Sequence, residues 1–255
     1  MDFSGFEFSQ NALNTFKSCP RKFGYKYVQG LNWRREDDEE YYKSLKYGRE
    51  FHLMCERYFS GIPVGNFTGS EEYKKFDQWL EKVKKVVPIY DDREYLSEYG
   101  LSLKIDEESR LTAKYDLAVI YREDGQLSID IWDWKTENRK LKYNDLENRM
   151  QSIVYMAVAY DTIPKIYGDG KEKARVRMYY YQPEYYTEPI ELIYSEEKFE
   201  NDKRKIEGLI EEIKKSDFKQ KNLKSCKYCE FNMLCNRNSV DEVAYEEYEE
   251  NKEID

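Results

Sequence analysis

The chain has 255 residues, of which 40% are hydrophobic and 16% aromatic, so it can bury a substantial core and does not have the composition of a disordered protein. No apolar run reaches the length of a membrane span, and no basic segment followed by an apolar one opens the chain. We therefore expect an intracellular, cytoplasmic protein without a membrane partner.

The net charge of -9 argues against a polyanionic partner, but the charge is unevenly distributed. Residues 241–255 hold eight acids and one lysine, a net charge of -7, which leaves about -2 for the rest of the chain. We expect these fifteen residues to form a disordered acidic tail. Basic residues are clustered in "CPRKFGYK" and "KQKNLKSCKYC", and such local patches are compatible with binding to a nucleic acid.

Helices are predicted first along the chain. Ser9 is a candidate N-cap for a short helix that ends at Cys19 and Pro20. A second helix, from about 41 to 59, places these residues on one face: Leu45, Gly48, His52, Cys55 and Phe59. A third, from about 71 to 87, directs Phe76, Leu80, Val83 and Val87 inward.

The pattern then changes to strands, which are predicted at about 96–105, 111–121, 127–135, 174–182 and 189–195. Helices are predicted at about 143–160 and 196–215. This order predicts an α/β fold, with a central mixed β-sheet flanked by helices. We expect one domain over 1–240, with a helical part at about 31–92, a core at about 93–195, and two end segments at 9–30 and 216–240.

The central hairpin carries candidate metal ligands. Asp124-Gly125 between two strand patterns predicts a two-residue turn, which places Asp116 directly opposite Asp133, with Lys135 on the same face. Opposed carboxylates repel, and a divalent cation such as Mg²⁺ would remove the conflict. The alternative is an exposed edge in which Asp116 forms an ion pair with Lys114 or Lys135, since a one-residue change of register would separate the two acids.

Three further residues are candidates for the same site. Gln151 and Tyr155 are spaced i, i+4 and share a helix face, although such a pair taken alone is more often part of a helix surface than of a site. His52 is the sole histidine, and it could be a buried core residue. Gly48, one turn before it, would allow another segment to approach closely.

Four of the five cysteines form a candidate ligand set. Cys226, Cys229 and Cys235 lie close together in a Lys-rich segment, and Cys19 could supply a fourth thiolate. Either Zn²⁺ or a [4Fe-4S] cluster takes four thiolates, so the residues leave both open. Cys55 lies on the apolar helix face and is expected to be a core residue.

Four short motifs occur in a characteristic order: Gly48-x3-His52, "AKYD" ending at Asp116, "DWK" at 133–135, and Gln151-x3-Tyr155. This order resembles that of the RecB-like branch of the PD-(D/E)XK nuclease superfamily. The stretch "SQNALNTFKSCPRKFGYKYVQGL" resembles the opening of its iron–sulfur members, the AddB-type nuclease domain and the CRISPR-associated RecB-like exonucleases. The resemblance covers about Ser9 to Cys235. It implies a restriction-endonuclease-like fold.

The resemblance also implies residue roles. Asp116, Asp133 and the backbone carbonyl of Trp134 would bind Mg²⁺ or Mn²⁺, with His52 as an additional ligand. Lys135 would orient or activate the attacking water, while Gln151 and Tyr155 would position Lys135 and the DNA backbone. An upstream acid of some relatives would correspond to Glu98 or Glu107, and "AKYD" departs from the more usual "GxxD".

For the cysteines, the resemblance implies a [4Fe-4S] cluster on Cys19, Cys226, Cys229 and Cys235 that joins the two ends of the domain. The implied function is a metal-dependent DNA exonuclease acting on single-stranded DNA, in DNA repair and recombination or CRISPR spacer acquisition, within a larger complex. The alternative is a non-catalytic nucleic-acid-binding or adaptor protein with a degenerate nuclease fold and a structural metal site.

Overall fold

The computed structural model describes residues 3–32, 39–65, 71–224, 226 and 229–236. The expected acidic tail at 241–255 lies outside the described residues. None of the described helices is both long enough and apolar enough to cross a membrane.

The first half of the chain is mainly helical, as predicted. A short strand, β1 (Phe6–Phe8), precedes α1 (Gln10–Ser18) and α2 (Pro20–Phe23), and a π-helical turn follows at Gly24–Val28. Ser9 caps α1, because its hydroxyl accepts a hydrogen bond from the Ala12 N–H at 3.3 Å. The two longer helices are α3 (Glu39–Phe59) and α4 (Glu71–Val86).

The second half forms the sheet and its covering helices. The strands are β2 (Glu94–Lys104), β3 (Ser109–Glu123), β4 (Gln126–Trp134), β5 (Arg175–Tyr181) and β6 (Ile190–Ile193). The helices are α5 (Tyr143–Glu147), α6 (Met150–Tyr167), α7 (Glu196–Lys215) and α8 (Asn232–Asn236). The single helix predicted over 143–160 is therefore two helices, which separate at Asn148 and Arg149.

The sheet is mixed, which confirms the predicted fold class. β3 pairs with β2 and β4 in antiparallel fashion and with β1 in parallel, while β4 pairs with β5 in parallel and β5 with β6 in antiparallel. β2 runs along β3 from Arg110 to Ile120. β1 and β4 therefore share the other edge of β3, where β1 pairs at 109–111 and β4 at 117–123.

The strand alternation of β3 breaks between these two pairings. Leu111, Ala113 and Tyr115 point into the core under α1, α6 and α7. Leu117, Val119 and Tyr121 point into the opposite core, under α3 and α4. Since regular alternation would keep all odd positions on one face, the backbone of β3 is irregular around Asp116.

The two cores agree with most of the predicted helix faces. Phe76, Leu80 and Val83 of α4 are buried, and so are Cys55 and Phe59 of α3. Leu45 is 40% exposed, so the predicted apolar face of α3 does not extend to this residue.

The two end segments pack on each other. Phe218 stacks on Phe23 with ring centroids 5.5 Å apart, and Tyr25 contacts Phe231 at 5.5 Å. The Arg21 N–H donates to the Gln220 carbonyl at 3.0 Å, and the Asn222 side-chain amide donates to the Ser18 carbonyl at 2.9 Å. The C-terminal segment therefore docks on α1 and α2 through both rings and backbone hydrogen bonds.

Gly24 provides the room for this docking, because a Cβ atom there would lie 2.8 Å from the Phe218 Cβ. We expect Gly24→Ala to destabilise the protein by about 1–3 kcal/mol through overpacking. The free energy of unfolding in urea measures the change. Gly208→Ala on the exposed side of α7, where nothing lies within 4 Å, is the matched control and should be neutral or stabilising. Equal effects of the two substitutions would contradict this account of the docking.

Candidate metal centre and active site

The β3–β4 hairpin has the predicted register. Asp124 and Gly125 both have positive φ, 52° and 81°, as a two-residue type I′ turn requires. The paired residues run from Glu123 and Gln126 at the turn to Leu117 and Trp132. The pairing ends there, and the same register continued by one step would set Asp116 opposite Asp133. The indole rings of Trp132 and Trp134 face the other core, as the alternation predicted.

The strands separate at this point. Beyond Trp132, β4 pairs only with β5 among the described strands, with Trp134 beside Tyr181. The Trp134 N–H donates to Asp116 Oδ2 at 2.8 Å. Asp116 thus uses one carboxylate oxygen to hold the diverging strand, while its other oxygen, Oδ1, lies 3.3 Å from His52 Nδ1.

Glu98 adds a third acid to the row. β2 pairs Ser97 with Leu117 and Tyr99 with Tyr115, so Glu98 lies at the level of Asp116 on the adjacent strand. Its φ of 51° is unusual for a residue other than glycine inside a strand. His52, Glu98 and Asp116 each bring one ligand atom within 4.8 Å of the others.

The structure thereby separates the two candidate upstream acids. Glu98 lies at the site, where its carboxylate pairs with Lys114 at 2.5 Å. Glu107 lies in the β2–β3 turn, pairs with Lys104, and has a side chain that is 92% exposed. Because residues 105–108 contain no Asp-Gly signal, the sequence did not fix the register of β2 and could not choose between them.

Asp133, Lys135 and Gln151 form a closed polar triangle. The Gln151 amide donates to Asp133 Oδ1 at 2.6 Å and accepts from Lys135 Nζ at 3.1 Å. Lys135 Nζ also lies 3.1 Å from Asp133 Oδ2. That oxygen is fully buried, and the ammonium group of Lys135 is the cation that neutralises it.

Burial controls the protonation of these groups. Burial raises the pKa of Asp133 to about 6; Lys135 lowers it, and the nearby Asp116 charge raises it further. Burial would lower the pKa of His52, but the hydrogen bond and charge of Asp116 outweigh burial and raise it. A bound metal cation would neutralise the charge of Asp116 and Asp133, as protons on Asp133 and His52 do in its absence.

Tyr155 also belongs to the site. It lies one turn after Gln151 on α6, it is buried, and its carbonyl accepts a hydrogen bond from the Tyr115 hydroxyl at 3.0 Å. Burial, and then the charges of Asp133 and Asp116, raise the pKa of its hydroxyl well above the usual range. The Tyr155 hydroxyl therefore remains a proton donor at neutral pH.

Gly48 has the close contact that its spacing suggested. A Cβ atom at Gly48 would lie 3.0 Å from Thr136 Oγ1, one residue beyond Lys135. The segment that follows the strand thus crosses α3 one turn before His52. This contact fixes the distance between the helix that carries His52 and the segment after β4 that carries Lys135.

The four candidate cysteines line a single cavity, together with Arg21, Lys22, Tyr25, Asn222, Phe231 and Asn232. Burial raises the pKa of Cys229 to about 11, with the nearby Lys22 acting in the opposite direction. Cys55 is fully buried in the core beneath α3, as expected.

The cysteine sulfur atoms are widely spaced. Within the described residues, only the His52, Glu98 and Asp116 group has three ligand atoms inside 4.8 Å, so no three of the four cysteine sulfurs are that close. A tetrahedral zinc ion would hold its sulfur ligands about 3.8 Å apart, from Zn–S bonds of about 2.3 Å.

Residues 7–236 match the family model of the PD-(D/E)XK nuclease superfamily, so the chain belongs to this superfamily. A search of the curated proteins finds no significant match.

Two solved structures are similar over most of their length. One, from Eubacterium rectale and described as a "Putative exonuclease", shares 12% identity over 91% of this chain and 88% of its own, with a TM-score of 0.54. The other, SSO0001, shares 14% identity over 92% and 87%, with a TM-score of 0.40. At 12% identity, the first of these likenesses supports the fold alone.

The raised pKa of Asp133 makes stability depend on pH in the metal-free protein. The pKa is about 6 in the folded state against 3.8 in the unfolded chain, so wild type loses stability as the pH rises from about 4 through 6. Asp133→Asn removes this loss. We expect its stability relative to wild type to improve by up to about 3 kcal/mol between pH 4 and pH 7.5, measured by urea unfolding in EDTA.

Glu107→Gln is the control for this measurement, because its exposed carboxylate should give a gap from wild type that does not change with pH. A gap for Asp133→Asn that is equally constant would contradict the burial of an unneutralised carboxylate.

Proposed function

We propose that this member of the nuclease superfamily is a metal-dependent deoxyribonuclease that removes nucleotides from the ends of single-stranded DNA. The observation that carries the proposal is the row of Glu98, Asp116 and Asp133 across three adjacent strands, with Lys135 held beside it. Acids at neighbouring positions of adjacent strands would destabilise a purely structural sheet.

The donor set suits a hard divalent cation such as Mg²⁺ or Mn²⁺. His52, Glu98 and Asp116, whose ligand atoms lie within 4.8 Å of one another, would hold it. Asp133, which is outside this group, and the Trp134 carbonyl would complete the set when the ion binds. When bound, the ion would acidify water and offset the negative charge that develops on a phosphodiester during hydrolysis.

Lys135 and its partners have a distinct task. Gln151 and Asp133 fix the ammonium group from two sides, so little conformational entropy is lost when it binds a phosphate oxygen or orients a water. The Tyr155 hydroxyl stays protonated and can donate to the DNA backbone. Lys135 also argues against a degenerate nuclease, since a dead site has no need for a buried ammonium held in this way.

The access to the site supports a single strand as the substrate. Asp133 is buried, while the side chains of Asp116 and His52 are 17% and 30% exposed. A threaded strand can bring one phosphate to such a recessed centre more easily than a rigid duplex. A role in DNA repair and recombination or in CRISPR spacer acquisition, within a larger complex, rests on the resemblance alone.

We further propose a [4Fe-4S] cluster on Cys19, Cys226, Cys229 and Cys235. All four line one cavity, and their spacing is wider than a single zinc ion would require. The cluster would join the end segments that already pack through Phe23 and Phe218.

The nuclease proposal predicts metal-dependent loss of end-labelled single-stranded DNA. Asp116→Ala, Asp133→Ala and Lys135→Ala should each lower kcat by at least about 100-fold. Glu98→Gln should weaken Mg²⁺ activation, whereas Glu107→Gln, a charge-matched control, should not. Circular single strands and blunt duplexes should persist.

Three results would decide against parts of this proposal. Equal activity of wild type and Asp133→Ala would reject the assigned site, and cleavage of circular DNA would reject an exonuclease. DNA binding without cleavage in either metal would favour the adaptor alternative.

The cluster proposal predicts a brown protein after anaerobic purification, with about four iron and four sulfide ions per chain. Cys19→Ser and Cys229→Ser should each lose the colour and most of the iron. Cys55→Ser, the control at the remaining cysteine, should keep both. A colourless protein with one equivalent of zinc would overturn the cluster in favour of a zinc site.

A further inference from the structure

The segment that follows the catalytic strand, residues 137–142, is held in place without being part of a helix or strand. We call it the 137–142 loop. The buried side chain of Gln182 donates to the Arg139 carbonyl at 2.8 Å and accepts from the Leu141 N–H at 2.8 Å. Two tyrosine hydroxyls, from Tyr185 and Tyr186, donate to the carbonyls of Asn138 and Leu141.

The loop therefore directs its backbone hydrogen bonds and the Leu141 side chain inward, and its basic side chains reach the surface. Lys140 and Lys142 are exposed and Arg139 is half-buried. Lys140 Nζ lies 4.5 Å from the centroid of the Tyr186 ring, so a cation–π contact holds the ammonium group at the loop surface. None of the three cations forms a salt bridge with any residue that the structure describes.

The surrounding acids do not cancel this charge. From Lys135 to Lys142, four of eight residues are basic and one, Glu137, is acidic. The nearby Glu184 is already bound by Lys75 at 3.1 Å and by the Trp79 indole N–H at 3.2 Å. The hydrogen bond from Lys75 lowers the pKa of Glu184, so it stays ionised and paired.

The loop also begins two residues after Lys135. Arg139 follows Lys135 by four residues, and four residues span at most about 14 Å. A cation placed there can reach phosphates next to the one at the metal centre. Because the loop backbone is already fixed, binding would order only side chains, which keeps the entropic cost small.

We propose that Arg139, Lys140 and Lys142 form a docking surface for the phosphates of the DNA strand next to the scissile phosphate. The inference rests on the proposed nuclease function and adds the surface that retains a long substrate. Such a surface contributes charge contacts that are independent of base sequence. It therefore acts on the binding of long strands and not on bond cleavage.

The test compares a long and a short substrate. A 20-nucleotide single strand can contact both the loop and the metal centre, whereas thymidine 5′-monophosphate p-nitrophenyl ester can occupy only the metal centre. In the triple variant Arg139→Gln/Lys140→Gln/Lys142→Gln, KM for the oligonucleotide should rise about tenfold or more, with kcat within about twofold. Hydrolysis of the ester should be unchanged, which also shows that the variant is folded.

The salt dependence provides a second readout. Loss of three phosphate contacts should reduce the slope of log KM against log salt by about 2 for a single strand. The matched control is Lys85→Gln/Arg110→Gln/Lys171→Gln, which removes one arginine and two lysines from exposed positions elsewhere. This control should leave KM and the slope close to wild type.

Each outcome is informative. If wild type hydrolyses both substrates and the loop variant matches it, the docking surface is wrong although the nuclease stands. Equal effects of the two triple variants would also overturn it, because they would reflect overall charge. If wild type hydrolyses neither substrate, the nuclease proposal itself fails.

Discussion

The repulsion between the carboxylates of Asp116 and Asp133 is the constraint around which the site is organised. The hairpin register brings these residues to neighbouring positions where the strand pairing ends, and the burial of Asp133 removes the screening that water would provide. The neighbouring groups each offset part of this cost: the Trp134 N–H and His52 act on Asp116, while Gln151 and Lys135 act on Asp133. The two carboxylates destabilise the sheet at this point, and they give the site a strong preference for binding a cation.

The site also depends on both cores at once. His52 comes from α3, which packs on one face of the sheet, and Gln151 comes from α6, which packs on the other. Their side chains meet the strands where β3 is irregular and β4 leaves it. The rings of Phe59 and Trp134, stacked 6.1 Å apart, hold α3 against β4 at this level. Packing defects in either core would therefore alter the ligand geometry.

Much of this arrangement could be predicted from the sequence, for reasons that differ between elements. The pairing of Asp116 with Asp133 followed from a two-residue turn, where chain geometry leaves little freedom. The position of Glu98 could not be predicted in this way, because the β2–β3 connection has no such turn signal. The positive φ of Glu98 is also not indicated by its residue type, since it is not a glycine. The exposure of Leu45 was missed because periodicity identifies the apolar face of a helix but not where along the helix the core ends.

Other features depend on tertiary contacts that local patterns do not report. The three residues of β1 are too few to give an alternating pattern, and they are strand-like because β3 offers a free edge there. The break between α5 and α6 falls at Asn148 and Arg149, where neither proline nor glycine marks it. The roles of the cysteines and of the 137–142 loop stay predictions until their ligands are identified.

The cysteine cavity has a consequence for how the protein is made. Cys235 follows Cys19 by 216 residues, so the cavity closes only when nearly the whole described chain has left the ribosome. Every strand of the sheet and every residue of the candidate metal centre is synthesised earlier. A ligand held by all four cysteines can bind only after Cys235 has been synthesised, so products truncated before Cys235 would lack this closing contact.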